Sequence, residues 1–219
     1  MPRPNRIGES RLSKAAAGRL SLYLRAIEHA ISNGQERISS QELGQALSIR
    51  DAQVRRDLAC LGTLGHPGIG YNPEKLRKPI RRALGIDREW PTVLVGVGNL
   101  ARALLRYAGF RQQGFHIRWL FDSDPAKAGT SLDGVPILPA EQMEKILSGS
   151  GAELGLIAVP ASAAQETADR LIRAGVRGLL NFAPVVLQLP PHVRLVSVDL
   201  TIQLEQLTFL LTSGTIISD

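Results

Sequence analysis

The chain has 219 residues, 44% hydrophobic and 21% charged, and a net charge of +6, a composition that fits a globular protein with room for two small domains. No apolar run reaches the roughly 18 residues that a membrane span needs, and the start MPRPNRIGESRLSK lacks the apolar core of a secretory signal, so it reads as a basic arm. The single cysteine, Cys60, excludes an internal disulfide framework and fits a reducing cytoplasm, and four scattered histidines give no zinc-ligand spacing.

The first 90 residues read mostly as helix. Leu20, Tyr23, Leu24, Ile27 and Ile31 recur at helical spacing, which predicts an amphipathic helix over 12–32 that stops at Asn33-Gly34. Ser39 stands three residues before Glu42, a capping-box pattern that opens a second, short helix. A turn at Leu47-Ser48-Ile49 leads to a third helix from Asp51 to Leu61, with Val54, Leu58 and Leu61 as its buried stripe and Gln53, Arg56 and Cys60 pointing elsewhere. Short helices joined by a tight turn after a longer helix form a helix-turn-helix pattern. GTLGHPGIGY, 62–71, follows as a tight turn or hairpin in the place of a wing. Another helix, Pro73 to Ala83, carries Lys75, Arg77, Lys78, Arg81 and Arg82 and ends at Gly85. Residues 87–91 read as a linker.

From Thr92 onward strands and helices alternate. Strands are predicted at 92–96, 116–121, 135–138, 154–159, 178–182 and 193–198, with helices near 99–109, 139–148 and 161–174. This alternation implies a parallel sheet covered on both faces. A last helix, 199–211, carries a stripe of Leu200, Leu204, Leu207 and Leu211, widened by Ile202, Phe209 and Leu210. That is more apolar surface than one sheet face can bury, which points to docking against a second subunit.

Charge divides with the pattern. Residues 1–90 carry 16 Lys and Arg against 9 Asp and Glu, whereas residues 91–219 carry 10 against 11. The whole basic excess lies in the helical part, as expected for a nucleic-acid partner.

Gly96-Val97-Gly98-Asn99-Leu100-Ala101 sits between an apolar strand and a helix. Gly96 permits the tight turn, Gly98 lets a pyrophosphate approach the backbone, and Ala101 is small enough for helix–strand packing. The helix N-terminus offers unpaired N–H groups to phosphate. The next strand ends at Asp122, about 20 residues on, where a ribose 2′-hydroxyl would be bound and a 2′-phosphate repelled. The pattern therefore favours NAD(H) over NADP(H). Asp124, before Pro125, is placed to cap a short helix. A dehydrogenase would also need a positioned proton-transfer group and a substrate domain. His116 starts a strand, His192 lies in a Pro-Pro-His loop, and Tyr107 follows the glycine loop on its helix, so none is placed for that role. An NAD-dependent oxidoreductase with a helical accessory domain is the alternative reading, and a nucleotide-binding module that holds RNA or a protein is a third. Cys60 is expected to be buried and inert.

The combination of Ala52-Gln-Val-Arg-Arg-Asp-Leu58, Gly62 to Tyr71, Val95-Gly-Val-Gly-Asn-Leu100, Tyr107-Ala-Gly-Phe110, Phe121-Asp-Ser-Asp-Pro-Ala-Lys127, Asn181-Phe-Ala-Pro184 and Val198-Asp199 resembles the redox-sensing transcriptional repressors of the Rex family. The motifs run in order through both parts of the chain, from about residue 19 to 210. The resemblance implies an N-terminal winged-helix domain (1–86), a Rossmann-type domain (91–198) and a C-terminal helix and tail (199–219) exchanged between the subunits of a homodimer. It implies a non-enzymatic repressor that binds a palindromic double-stranded DNA operator when NADH is scarce relative to NAD⁺ and releases it when NADH binds, without membrane or metal.

Carried over residue by residue, Arg55 and Arg56 match the basic pair of the recognition helix, with Gln53 in the same stretch. Gly68, Gly70 and Tyr71 match the wing, and Arg19 and Arg25 match the first helix; the resemblance makes Arg19, Gln53, Arg55, Arg56, Gly68, Gly70 and Tyr71 the expected DNA contacts. Asp199 matches an acidic residue that pairs with the match of Arg25 in the DNA-binding state and with the match of Tyr107 in the NADH state. Val159-Pro160 and Asn181-Phe182-Ala-Pro184 would edge an apolar nicotinamide pocket that favours the neutral reduced ring. The sequence departs from the family near Leu61 and Leu64, which are aliphatic where aromatics are usual, and at two further positions. Ala101 stands where Gly is usual, and Arg50 stands where Ser or Thr commonly caps the recognition helix, which leaves Asp51 to cap it.

Overall fold

A computed structural model describes residues 12–62, 65–66 and 69–213. The chain forms two compact units, Met1–Arg88 and Glu89–Asp219.

In the first unit α1 (Lys14–Ser32) starts at Ser13, whose side chain accepts the Ala16 N–H, and stops before Gly34 at φ +70°. Its buried face is Leu20, Tyr23, Leu24, Ile27 and Ala30. Ser39 and Glu42 close a reciprocal capping box on α2 (Ser40–Leu47). The turn into α3 (Asp51–Ala59) is tight: Ser48 is left-handed, and a Cβ on Gly44 would lie 2.5 Å from the Ile49 carbonyl oxygen. Glycine is required there by contact with the backbone. Arg50 occupies the N-cap position of α3 without a side-chain bond. Asp51 therefore stands one residue inside the helix, and its carboxylate takes the Ala52 N–H. The unit is completed by β1 (Gly65–His66), β2 (Gly70–Tyr71) and α4 (Pro73–Ala83). β1 and β2 pair antiparallel, and Ile38 adds a bridge to Tyr71. One core joins the elements: Leu20, Tyr23 and Ile27 pack with Leu43, Val54, Leu58, Leu76 and Ile80, each at most 1% exposed. Each such aliphatic side chain contributes about 1.5–3 kcal/mol of burial.

The second unit is built on β3 (Trp90–Val95), β4 (Phe115–Asp122), β5 (Ser131–Leu132), β6 (Val135–Pro139), β7 (Leu154–Ile157), β8 (Gly178–Asn181) and β9 (Arg194–Ser197). They form one sheet in the order β5-β6-β4-β3-β7-β8-β9, parallel except for the β5–β6 pair. The strand order reverses between β3 and β7, and crevices for ligands open at the carboxyl ends of strands at such a point.

Alternate residues of the sheet serve its two faces. Val93, Val95, Phe121 and Ile157 pack against α7 (Met143–Leu147) and α8 (Ala161–Arg173). Leu94, Leu120 and Leu156 pack against Ala101 of α5 (Asn99–Arg106).

Two expectations are corrected here. The helix foreseen over 99–109 is broken at Tyr107, whose extended backbone (φ −72°, ψ 101°) separates α5 from α6 (Ala108–Gln112). The Tyr107 ring folds over Gly109, where a Cβ would sit 2.6 Å from it. The sheet is also not covered on both faces throughout. The β8–β9 connection, 182–193, contains Pro184, Pro190 and Pro191 and no helix. That connection packs its Leu187, Leu189 and Val193 on the α8 face, and it is the opposite, α5 face of the sheet that carries an open apolar groove of about 400 Å³ lined by Phe110, Ile117, Leu156, Leu180 and Val196. The last helix, α9 (Leu200–Ser213), buries none of its residues among the described part of the chain, and Leu204, Phe209 and Leu211 are 62–68% exposed.

Candidate functional site

The glycine loop is shaped by what crosses behind it. Gly96 has φ +91°, and a Cβ there would lie 2.5 Å from the Ala158 carbonyl oxygen after β7. Gly98 is different. It is extended, it precedes α5, and a Cβ built on it meets nothing within 4 Å. The protein's own packing leaves that approach open, over a helix N-terminus that no side chain caps. Unpaired N–H groups and the helix dipole make this a cradle for phosphate, so the residues fit a dinucleotide. Ala101 is fully buried against the sheet, whereas Asn99 and Leu100 are exposed.

Asp122 closes the loop from the neighbouring strand. One of its oxygens, Oδ2, accepts the Val97 N–H at 2.7 Å and lies 3.0 Å from Lys127 Nζ, and Oδ1 accepts the Asp124 N–H at 2.8 Å. Burial opposes ionisation, but the Asp124 N–H, Lys127 and the Val97 N–H outweigh it and hold the carboxyl below its ordinary range. Asp124 itself accepts the Ala126 N–H in a turn, without a helix following. Gly96, Val97, Gly98, Asp122, Val159 and Pro160 line one cavity of about 540 Å³.

Asn181, Phe182 and Tyr107 do not line that cavity. Asn181 is fully buried, donates to the carbonyls of Ala183 and Val185, and accepts the Ala183 N–H, so its side chain shapes the turn after β8. Phe182 is half-buried beside it. Tyr107 is 55% exposed and meets Phe110 edge-on at 5.3 Å. Asp199 caps α9 through Oδ1, which accepts the Thr201 N–H at 2.9 Å. Arg25 is exposed on α1.

The first unit presents the exposed side of α3. Arg55 reaches Asp51 at 2.6 Å and Ser40 at 3.2 Å, and Arg56 reaches the Gln53 side chain at 3.2 Å. Arg19 does not stand with them. Its guanidinium forms a two-bond pair with Asp57, at 2.6 and 2.9 Å, inside the packing of α1 on α3. Gly70 and Tyr71 form the second strand of the wing, and Gly68 lies outside the described residues. Cys60 is exposed rather than buried, because it ends α3 on the side away from Val54 and Leu58.

Sequence reasoning missed Asp57. It sits on the buried side of α3, one residue from Leu58, and accepts Tyr23 Oη at 2.9 Å as well as the Arg19 pair. The signal was present: Asp57 falls three residues after Val54 and four before Leu61, within the apolar stripe. Among the described residues no cluster of three His, Cys, Asp or Glu is placed to hold a metal, and no helix is long and apolar enough to cross a membrane.

Two family models match, "Putative DNA-binding protein N-terminus" over residues 11–59 and "CoA binding domain" over residues 87–185. A redox-sensing transcriptional repressor Rex from Roseiflexus sp. (strain RS-1) is 46% identical over 193 residues, covering 88% of each chain. The chain belongs to the Rex family. The Rex protein of Desulfitobacterium hafniense is 45% identical over 91% of this chain and 95% of its own. Among solved structures, the Rex-family repressor RSP in complex with β-NAD⁺ and operator DNA superposes with a TM-score of 0.88 at 33% identity, covering 95% of this chain and 96% of its own. RSP in complex with β-NADH superposes with a TM-score of 0.85 at 32% identity, covering 95% and 98%. The Rex fold, a DNA-binding unit followed by a Rossmann-type, mostly parallel sheet, is thus that of this chain.

Proposed function

We propose that this chain is an NADH-responsive repressor that holds operator DNA as a homodimer while NADH is scarce relative to NAD⁺. The observation that carries the reading is the coexistence of two sites in one Rex-family chain: a glycine loop latched by Asp122 and a recognition helix bearing Arg55 and Arg56. The solved relative RSP has been captured both with NAD⁺ and operator DNA and with NADH, which supports the same pair of states here. The curated relatives are named as transcriptional repressors, which favours a receptor over a dehydrogenase.

Gly96, Gly98 and the N-terminus of α5 would hold the pyrophosphate of NADH, and Asp122 would face the adenosine ribose. Val159 and Pro160 would border the nicotinamide; Phe182, expected beside them, lies outside the cavity that they line. A neutral ring enters an apolar border more readily than a cationic one, because an unpaired cation is costly to bury. That difference lets one cavity discriminate NADH from NAD⁺. The ligand moves the DNA-binding equilibrium only through its differential affinity for the two states. Asp199 is the proposed switch, paired with Arg25 in the DNA-binding state and with Tyr107 in the NADH state. The unburied α9 and the open apolar groove of the sheet support a second copy as the partner, with α9 exchanged between subunits. A repressor of this kind would act where the DNA is, which supports a cytoplasmic location.

The test is a duplex enriched by the chain itself from a randomised pool, titrated with NADH and with NAD⁺. Release by micromolar NADH but not by equal NAD⁺ is expected, and binding weakens steeply with salt as phosphate contacts are lost. Indifference to both nucleotides would overturn the reading.

A further inference from the structure

Asp57 is 4% exposed on a helix whose other charged side chains face outward. Four donors converge on it: Arg19 Nε and Nη2 at 2.6 and 2.9 Å, Tyr23 Oη at 2.9 Å and Gln53 Nε2 at 2.8 Å. An ionised carboxylate accepts and cannot donate. The side-chain amide of Gln53 is therefore fixed in one sense, with its NH₂ toward Asp57 and its carbonyl oxygen turned away. That oxygen accepts Arg56 Nη1 at 3.2 Å. A chain of bonds thus runs from a buried anion to an exposed guanidinium. Among the described residues Arg56 Nε and Nη2 take no protein acceptor, so that edge of the fork is left for a ligand. Arg55 differs, since Asp51 and Ser40 already engage it.

We infer that Asp57 and Gln53 are positioning residues that present Arg56 to DNA in one orientation. The inference rests on the repressor reading above and deepens it by assigning roles within α3. Arginine reads guanine or phosphate through a planar fork, so its orientation decides whether two bonds form or one. Gln53 was expected to touch DNA. Reading adenine would need both its oxygen and its NH₂ turned to the base, and in this arrangement they face Arg56 and Asp57. Gln53 acts through Arg56. Arg19 and Tyr23 hold the anion in place from α1.

The test is a double-mutant cycle on the full chain, with affinity measured for a duplex that the unmodified chain has enriched from a randomised pool. Gln53→Leu keeps a good helix former at a half-buried position, and a thermal melt of each variant confirms that it folds. Gln53→Leu is expected to weaken binding about tenfold in the unmodified chain and less than twofold in the Arg56→Ala background, the non-additivity expected of residues that act as a unit. Equal weakening in both backgrounds would show that Gln53 contacts DNA by itself and would overturn the relay, as would no weakening in either. Asp57→Asn gives a second arm. It removes the charge that orients the amide, and its loss should likewise shrink once Arg56 is alanine; a loss that stays the same size marks a merely structural role and overturns the relay. If the unmodified chain enriches no duplex, the repressor reading falls and the relay with it. If it does enrich one and the cycle is additive, the relay alone falls.

Discussion

The Asp122 carboxylate accepts the Val97 N–H at 2.7 Å and so ties the end of β4 to the glycine loop after β3. The loop is held in shape by a neighbouring strand and not only by its own glycines. Asp122→Ala leaves the N–H groups of Val97 and Asp124 without this acceptor, at a cost of about 1–3 kcal/mol for a buried orphaned donor. It also removes the group proposed to face the ribose. Calorimetric titration with NADH should show at least a tenfold loss of affinity, with a lowered melting temperature in the same sample. Unchanged affinity would remove Asp122 from the site.

Ala101 is the position where the sequence departs from the family glycine, and its side chain is wholly buried against the sheet rather than in the cavity. Ala101→Gly should therefore cost about 1 kcal/mol through the helix while changing NADH affinity by less than about threefold. Ala101→Leu overfills a packed core and should cost about 1–3 kcal/mol. Denaturant unfolding and NADH titration on both variants check this. A large affinity gain in Ala101→Gly would show that the methyl group reaches the nucleotide.

Hydrogen bonds from Arg19 hold the Asp57 carboxyl below its ordinary value of 3.8 against the opposing effect of burial, with Tyr23 and Gln53 adding to the same side. A depressed folded-state pKa gives stability that is fully present above the unfolded value and is lost as pH falls through the folded value. The first unit should lose stability progressively below about pH 4. Chemical denaturation at pH 7, 4 and 3 should show a flatter pH dependence for Asp57→Asn than for the unmodified chain. Parallel curves would show that Asp57 is not the group responsible.

The elements were legible wherever burial follows one period. The α3 stripe, the Ser39–Glu42 box and the parallel strands follow from spacing and capping chemistry alone. The break at Tyr107 was not legible, because it arises from a ring folding back over Gly109 and propensity would carry the helix through. Asn181 and Arg19 illustrate a second limit. Motif matching marked both as ligand contacts, yet each side chain is engaged within the protein, by the turn after β8 and by Asp57. A sequence shows which polar group is present and not which partner satisfies it. Asp57 was overlooked for the converse reason: a carboxylate in an apolar stripe reads as surface until its four donors are seen.

Asp199 serves two proposed ends, capping α9 and carrying the switch. Asp199→Asn separates them, since asparagine caps nearly as well and carries no charge. Helix content should be unchanged by circular dichroism and NADH affinity should move by less than about threefold. Release of the enriched duplex by NADH should be lost or blunted. Full release at the usual NADH concentration would sink the switch assignment.

The α5 side of the sheet keeps an open apolar groove, and α9 leaves its leucines facing outward. If the proposed homodimer covers these surfaces, folding and assembly of the chain are one equilibrium. Its melting temperature should climb with protein concentration, as it does whenever association is selective for the native state. A freshly made chain at low copy number would then be the least stable form, and the cell's supply of the protein would set how much of it is able to sense anything.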